Sequence, residues 1–344
     1  MFGKKPASND LKEISDKVRF KLVRKIAEGG MGSVYEGVLA GGEGFEKTVA
    51  IKTIQESLSN DPEFIEMFIG EAKLVADLVH QYIVQIYQMG KVGSIYYMAM
   101  EYVEGVNLQE FMNRHYERRM KLPIDIGTYI ISRVCRGLEY AHRKTDRAGN
   151  LLNVVHRDIS PKNIMISTEG FVKLTDFGIA KARNLMKNQE GEVLMGKAQY
   201  MSPEQAQYMQ TDGRSDLFSL GIVAWELLTG QTLFGSENTG IILENVVYKE
   251  IPPARRVNPE IPEEVERILN KALQRDMNNR YQDASRMAYD LEYYMYHNRF
   301  GPTNVTLEKY MQRMFPEIFK ATPRRTDSEI FPADSDPAAK AKKV

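Results

Sequence analysis

V-H-R-D-I-S-P-K-N-I-M-I, running from Val155 to Ile166, and F-V-K-L-T-D-F-G, from Phe171 to Gly178, decide how this chain is read. Asp158 is a carboxylate that can take a proton from a hydroxyl. Asn163 and Asp176, the second just past a β-rich run, both present oxygen, the donor that Mg²⁺ prefers. One base and two oxygen ligands on neighbouring hairpin loops suit phosphoryl transfer, in which positioning and charge neutralisation do most of the chemistry.

The rest of the chain sets limits around that stretch. Its 344 residues exceed most single cores, so one large two-lobed domain or two domains is expected. Lys+Arg and Asp+Glu both total 46, so nothing global points to nucleic acid or to an acidic membrane. A single cysteine, Cys135, allows no intrachain disulfide and fits a reducing compartment. The polar start (Met1–Asp10) is not expected to act as a secretory leader, and the apolar run Leu220–Leu228 is short and contains Glu226. A cytoplasmic protein without a membrane span is the expectation.

Upstream, Arg19 to Ile26 alternates as a strand does. A-E-G-G-M-G-S-V-Y-E-G follows from Ala27 to Gly37, and its glycines would let backbone amides approach phosphate oxygens. Ala40 to Lys47 reads as a loop, and Thr48 to Ile54 as a strand carrying V-A-I-K, which ends at Lys52. Asp61–Pro62 signals a helix start, and apolar residues recur at helical spacing to His80, with Glu71 among them. Tyr82–Tyr87 and Ile95–Tyr102 read as strands, Pro123–His142 as a long helix and Lys144–Asn153 as a polar loop. Ser215–Gly230 is a mostly apolar helix with an early Asp216, which needs partners if buried. Glu263–His297 and Val305–Phe319 have helical spacing, and the Pro-, Ala- and charge-rich Ala321–Val344 predicts disorder.

This order of segments resembles that of the protein kinases, over roughly Phe20 to His297. G-G-M-G-S-V-Y and Y-M-S-P-E-Q look like the eukaryotic-like (Hanks-type) serine/threonine kinases of bacteria. The resemblance implies an α+β, bilobal kinase fold over 19–298, with a β-rich N-lobe (19–103) holding one long helix and a mainly helical C-lobe (104–298). A lead-in (1–18), a helical extension (299–320) and a tail (321–344) flank it. ATP, Mg²⁺ (or Mn²⁺) and protein substrates are implied, with no nucleic acid.

By position, Ile26, Ala27, Glu28, Gly29, Gly30, Met31, Gly32, Ser33 and Val34 would cover the nucleotide, Ala27 standing where the family has its first glycine. Lys52 would position the α and β phosphates and be held by Glu71. Ala50, the gatekeeper Met100 and Met165 would enclose adenine, the backbone of Glu101 and Val103 would hydrogen-bond it, and Asn107 would lie near the ribose. Asn163 and Asp176 would hold the metal, and Asp158 would serve as base. His156 and Phe177 would stack with Val75 and Ile86 between the lobes, Asp216 would tie down the catalytic loop, and Glu204 would pair with Arg280.

Two departures stand out. The family's catalytic-loop lysine is Ser160 here, and its threonine after the glycine of G-T-x-x-Y is Lys197, so Lys197 or Lys162 would supply the missing cation. Arg157 would meet an activation-loop phosphate, yet Ile179 to Gln199 contains no Ser, Thr or Tyr. Glu190 or Glu192 could lend a weaker charge there, and activity without activation-loop phosphorylation is expected. Thr326 and Ser328, behind Arg324-Arg325, are candidate autophosphorylation sites. The alternatives are a pseudokinase scaffold, against which Lys52, Asp158, Asn163 and Asp176 argue, and a dual-specificity kinase. Lys197→Ala is expected to cripple kcat while Ser160→Ala barely changes it; steady-state kinetics check this, and equal, small effects would contradict it.

Overall fold

The computed structural model describes residues 19–29, 32–54, 62–177, 198–298 and 300–320. Expectations placed on Gly30, Met31, Asp61, Glu190, Glu192, Lys197, Thr326 and Ser328, on the lead-in and on the tail lie outside them.

Alternating apolar and polar residues build the first sheet. Strands β1 (Arg19–Gly29), β2 (Gly32–Ala40), β3 (Glu46–Ile54), β4 (Ile86–Val92) and β5 (Ile95–Glu101) pair antiparallel in the order β1-β2-β3-β5-β4. Helix α1 (Pro62–Ala76) begins on a proline, whose fixed φ suits the first turn. It buries Phe68 and Ala72 against Ile54 and Met98.

Residues 77–85 behave differently from the sequence expectation. The helix stops at Ala76 rather than His80, and β4 begins only at Ile86 rather than Tyr82. The reason is a competing partner in the other lobe: Ile83 bridges Leu174, Val84 N–H donates to Leu174 O at 2.8 Å, and Leu174 N–H donates to Tyr82 O at 2.8 Å. The stretch is a backbone clasp between lobes.

A second sheet, β6 (Gly105–Asn107), β7 (Ile164–Ser167) and β8 (Val172–Leu174), forms the roof of the helical lobe. Its helices are α2 (Leu108–Glu117), α3 (Ile124–His142), α4 (Pro203–Ala206), α5 (Gly213–Thr229), α6 (Thr239–Tyr248), α7 (Ala254–Val257), α8 (Glu263–Ala272), α9 (Ala284–Tyr296) and α10 (Asn304–Met314). Helix α5 is buried on every face from Ser215 to Leu228, with α3, α7, α8 and α9 around it. Asp212 caps its start and Gly230, at φ 72°, its end. The expected helix over Glu263–His297 is two helices. Asp276 turns the chain by accepting from Asn278 N–H at 2.9 Å, and Asp283 caps α9. Among the described residues no helix is long and apolar enough to cross a membrane.

The extension beyond α9 joins the same core. Leu307, Tyr310, Met311, Met314 and Phe315 are buried in it beside Phe111 of α2. Tyr310 O–H meets His115 Nε2 at 2.7 Å, and Arg114 meets Glu317 at 2.6 Å. The β7–β8 turn admits the start of α10 because Gly170 (φ 76°) lacks a side chain; a Cβ there would lie 2.0 Å from Asn304 O. Leu307→Ala, at a site with 0% exposure, is expected to cost about 2–5 kcal/mol. Urea unfolding measures it, and an unchanged midpoint would show that α10 lies outside the core.

Candidate active site

The catalytic loop is positioned from below, by α5. Asp216, in the first turn of that helix, is 1% exposed. Its Oδ1 accepts from Arg157 N–H at 2.8 Å, and its Oδ2 accepts from His156 N–H and from His142 Nε2, each at 2.8 Å. Burial pushes its pKa up, but His142 and the His156 amide outweigh burial and hold the carboxyl below its ordinary value. The grip fixes Arg157 at φ 60°, a left-handed conformation that L-residues rarely adopt. The buried His156 ring then accepts from Asp158 N–H at 3.3 Å through Nδ1 and donates through Nε2 to Thr175 O at 3.1 Å. Its centroid lies 4.5 Å from that of Phe177. Phe177 packs with Val75, Leu78, Ile83, Ala141 and Val154, and Ile86 lies against them, so the expected inter-lobe stack is present.

The reactive groups sit on this frame. Asn163 Nδ2 donates to both Asp158 O and Asp158 Oδ2 at 2.8 Å. That use of the nitrogen turns the amide oxygen into the atom left for a metal. Thr175 N–H donates to Asn163 O at 3.0 Å, which zips the segments of Asn163 and Asp176 together. Asp176 takes φ 54°, and its Oδ1 lies 2.7 Å from Lys52 Nζ, a contact across 124 positions of sequence. The β3 register sets Lys52 between Val34 and Met98. Glu71 lies on α1; its side chain is outside the described part.

These donors fit Mg²⁺-ATP. Asn163 and Asp176 offer hard oxygen, and no group of three or more His, Cys, Asp or Glu among the described residues could cage a metal alone. Mg²⁺ commonly completes its shell with phosphate oxygens and water, which is what so sparse a protein set requires. Above it, Gly32 runs so close to β3 that a Cβ would lie 1.8 Å from Thr53 O. Gly29 pairs with Gly32 across the turn, Ala27 pairs with Val34 and Glu28 with the buried Ser33, while Ile26 is exposed.

Ala50, Met100 and Val84 are buried together, with Val34, Tyr102 and Val103 against them, so three of the residues expected around adenine, Ala50, Met100 and Val103, lie in one cluster. Glu101 N–H already donates to Gln85 O at 2.8 Å, so a base can meet only its carbonyl. Asn107 Oδ1 caps α2 by accepting from Glu110 N–H at 2.9 Å, which leaves its Nδ2 for a ribose. Met165 is partly buried and pairs with Asn107 on the floor. Lys162 is exposed on the short turn Pro161–Asn163, and Ser160 is buried.

Several supporting contacts had no sequence signature. Lys173 reaches the Glu101 carboxylate at 2.9 Å and ties the hinge to β8. Arg24 joins Glu36 and, at 3.2 Å, Tyr102 O–H, linking the glycine-loop strands to the hinge. Gln205 Nε2 donates to Arg157 O at 3.0 Å. Tyr200 O–H donates to the buried Glu226 at 2.8 Å. The expected Glu204–Arg280 staple is present, bidentate at 2.9 and 3.2 Å and buried on both sides. Ser215 O–H adds a 2.6 Å bond to Glu204. Burial raises the Glu204 pKa and the Arg280 bonds outweigh it, for a net downward shift. Cys135 is fully buried in α3 and burial pushes its thiol up, so it is a packing residue.

The protein kinase domain family matches residues 20–291. The tyrosine-protein kinase MasK of Myxococcus xanthus is 39% identical over 87% of this chain and 46% of its own length. The serine/threonine-protein kinase PrkC of Bacillus subtilis is 35% identical over 93% of this chain and 46% of its own length. The chain thus spans about half the length of the curated relatives it matches. Among solved structures, the kinase domain of PknI from Mycobacterium tuberculosis superposes with a TM-score of 0.61 at 24% identity, covering 79% of this chain and 94% of that one; at that identity the likeness speaks for the fold.

Glu226, 3% exposed, has its pKa raised by burial from 4.5 to about 7. A raised carboxyl favours the folded state below its unfolded pKa, and that contribution is lost as pH rises through about 7. The loss is on the order of 3 kcal/mol by linkage. Thermal midpoints are expected to fall from pH 5 to 8 (roughly the titration window), and Glu226→Gln to flatten that limb. An unaltered slope in the variant would contradict the assignment.

Proposed function

The chain belongs to the protein kinase family, and on that premise we propose that it moves the γ-phosphoryl group of ATP to serine and threonine hydroxyls of proteins, itself among them, with no phosphate needed on residues 178–199. The observation that carries this reading is the joining of Lys52 to Asp176 and of Asn163 to Asp158 on segments zipped by the Thr175–Asn163 bond. Asp158, held at its amide by His156 and at its carboxylate by Asn163, orients the acceptor hydroxyl and takes its proton. Lys52 steadies the α and β phosphates, and Asn163 and Asp176 hold Mg²⁺. Bound Mg²⁺-ATP supplies the phosphoryl group and the charge neutralisation for its transfer. Glu204 and Arg280 support a platform for a polypeptide substrate, which favours protein over small-molecule acceptors. The lone buried thiol supports a cytoplasmic catalytic unit.

A second acceptor class has its own support. Ser160 removes a lysine that marks serine/threonine specificity, and the Myxococcus xanthus relative is named a tyrosine kinase. Tyrosine is therefore an additional acceptor in this reading. The scaffold alternative is disfavoured because all four reacting or ligating groups are present.

Incubation with γ-labelled Mg²⁺-ATP and a generic protein substrate, followed by phosphoamino-acid analysis, tests the proposal. Phosphoserine and phosphothreonine are expected, with label abolished in Asp176→Ala and reduced about 10²–10⁴-fold in Asp158→Ala. Phosphotyrosine alone would overturn the specificity, and nucleotide binding without transfer would favour the scaffold.

A further inference from the structure

Arg157 is tethered by all three of its functional parts to one short stretch, residues 205–216. Its N–H donates to Asp216 at 2.8 Å, and its carbonyl accepts from Gln205 Nε2 at 3.0 Å. Its side-chain Nε donates to Thr211 Oγ1 at 3.2 Å. Gln205 is itself set by the turn at Ser202, whose N–H it accepts at 3.0 Å and whose Oγ accepts from Gln205 N–H at 3.3 Å. Thr211 lies in the segment between α4 and α5, directly before Asp212, which caps α5. The side-chain tether therefore starts two residues before the helix that carries the backbone tether.

The sequence explains why such a tether matters. Arg157 holds a left-handed backbone directly before Asp158, and a fixed side-chain partner adds to the Asp216 and Gln205 bonds that keep it there. A phosphorylated hydroxyl between residues 179 and 199 cannot be that partner, because the segment has no Ser, Thr or Tyr. A neutral hydroxyl is a weaker acceptor than a phosphate. It needs no kinase to install it, and here it stands next to Asp212, the cap of α5.

We propose that the Thr211 hydroxyl anchors the Arg157 guanidinium at Nε and thereby positions Asp158. The inference deepens the proposed kinase reading and rests on it. Thr211 touches no reacting atom; it is a positioning residue acting through Arg157.

Kinetics of the full chain with Mg²⁺-ATP test it. Thr211→Val, which keeps shape and removes the hydroxyl, is expected to lower kcat about tenfold with KM for ATP within about twofold, the scale of a lost positioning contact. Thr211→Ser restores kcat. Arg157→Ala combined with Thr211→Val is no slower than Arg157→Ala alone, because the two act as one unit. Multiplying losses in the double variant, or an undiminished kcat in Thr211→Val, would overturn the proposal. So would a phosphate found on Thr211 whose removal by phosphatase abolishes activity. A readout independent of turnover separates this inference from the kinase reading: solvent exchange of the Arg157 Nε–H, followed by NMR, is expected to quicken in Thr211→Val and not in Thr211→Ser. Equal exchange in parent and Thr211→Val refutes the anchor even if the parent were inactive, whereas absent transfer with the exchange difference intact refutes only the kinase reading. Should Thr211→Val fold poorly, Thr211→Ala is read by the same exchange measurement.

Discussion

A buried carboxylate holds the catalytic loop in place. Taking a charge out of water costs several kcal/mol, and Asp216 offsets that cost with two backbone amides and His142. Its position on α5 matters as much as its bonds. That helix is buried on every face, so the loop is referenced to the most rigid part of the lobe rather than to other loops. From Asp216 the constraint passes to the His156 amide, then through the His156 ring to Asp158 and Thr175, and from Thr175 to Asn163. Asp158 and Asn163 thus share one frame, as the proposed reaction, which relies on positioning, requires.

The two lobes meet through contacts of different kinds. The backbone clasp of residues 82–84 on Leu174 is short and directional. The stack of Val75, Phe177 and the His156 ring is apolar. Lys173 and Glu101 add an ion pair beside the hinge. The clasp and the ion pair both tie β8 to the first lobe, and Lys52 reaches across to Asp176. Only the last of these lies where a nucleotide's phosphates would compete for the lysine, so nucleotide entry need not disturb the rest.

Much of this was legible in the sequence, for identifiable reasons. Alternation marked β1 and β3, helical spacing marked α3, and a mostly apolar run marked α5, because the first three bury one side and α5 is buried on every face. Lys52, Asp158, Asn163, Asp176 and Asp216 stand out by residue type at fixed order, and hydrogen bonds join Lys52 to Asp176, Asn163 to Asp158 and Asp216 to the His156–Arg157 backbone. Residues 82–84 were misread as part of β4, since their true partner, Leu174, is remote in sequence. The break between α8 and α9 was missed because helical periodicity continues on both sides of the Asp276 turn. The Tyr200–Glu226 and Arg157–Thr211 bonds pair residues far apart along the chain and of common type, so no local pattern announces them. Asn107 carries two messages at once, a helix cap and a ribose-side position, and the cap is the one its oxygen obeys.

The most direct test is a crystal structure with Mg²⁺ and a non-hydrolysable ATP analogue. The account requires the Asn163 amide oxygen and the Asp176 carboxylate on one Mg²⁺, Lys52 transferred from Asp176 to the α and β phosphates, and Asp158 open toward the γ-phosphate. A nucleotide bound elsewhere, or Asp158, Asn163 and Asp176 directed to separate places around it, would contradict the account.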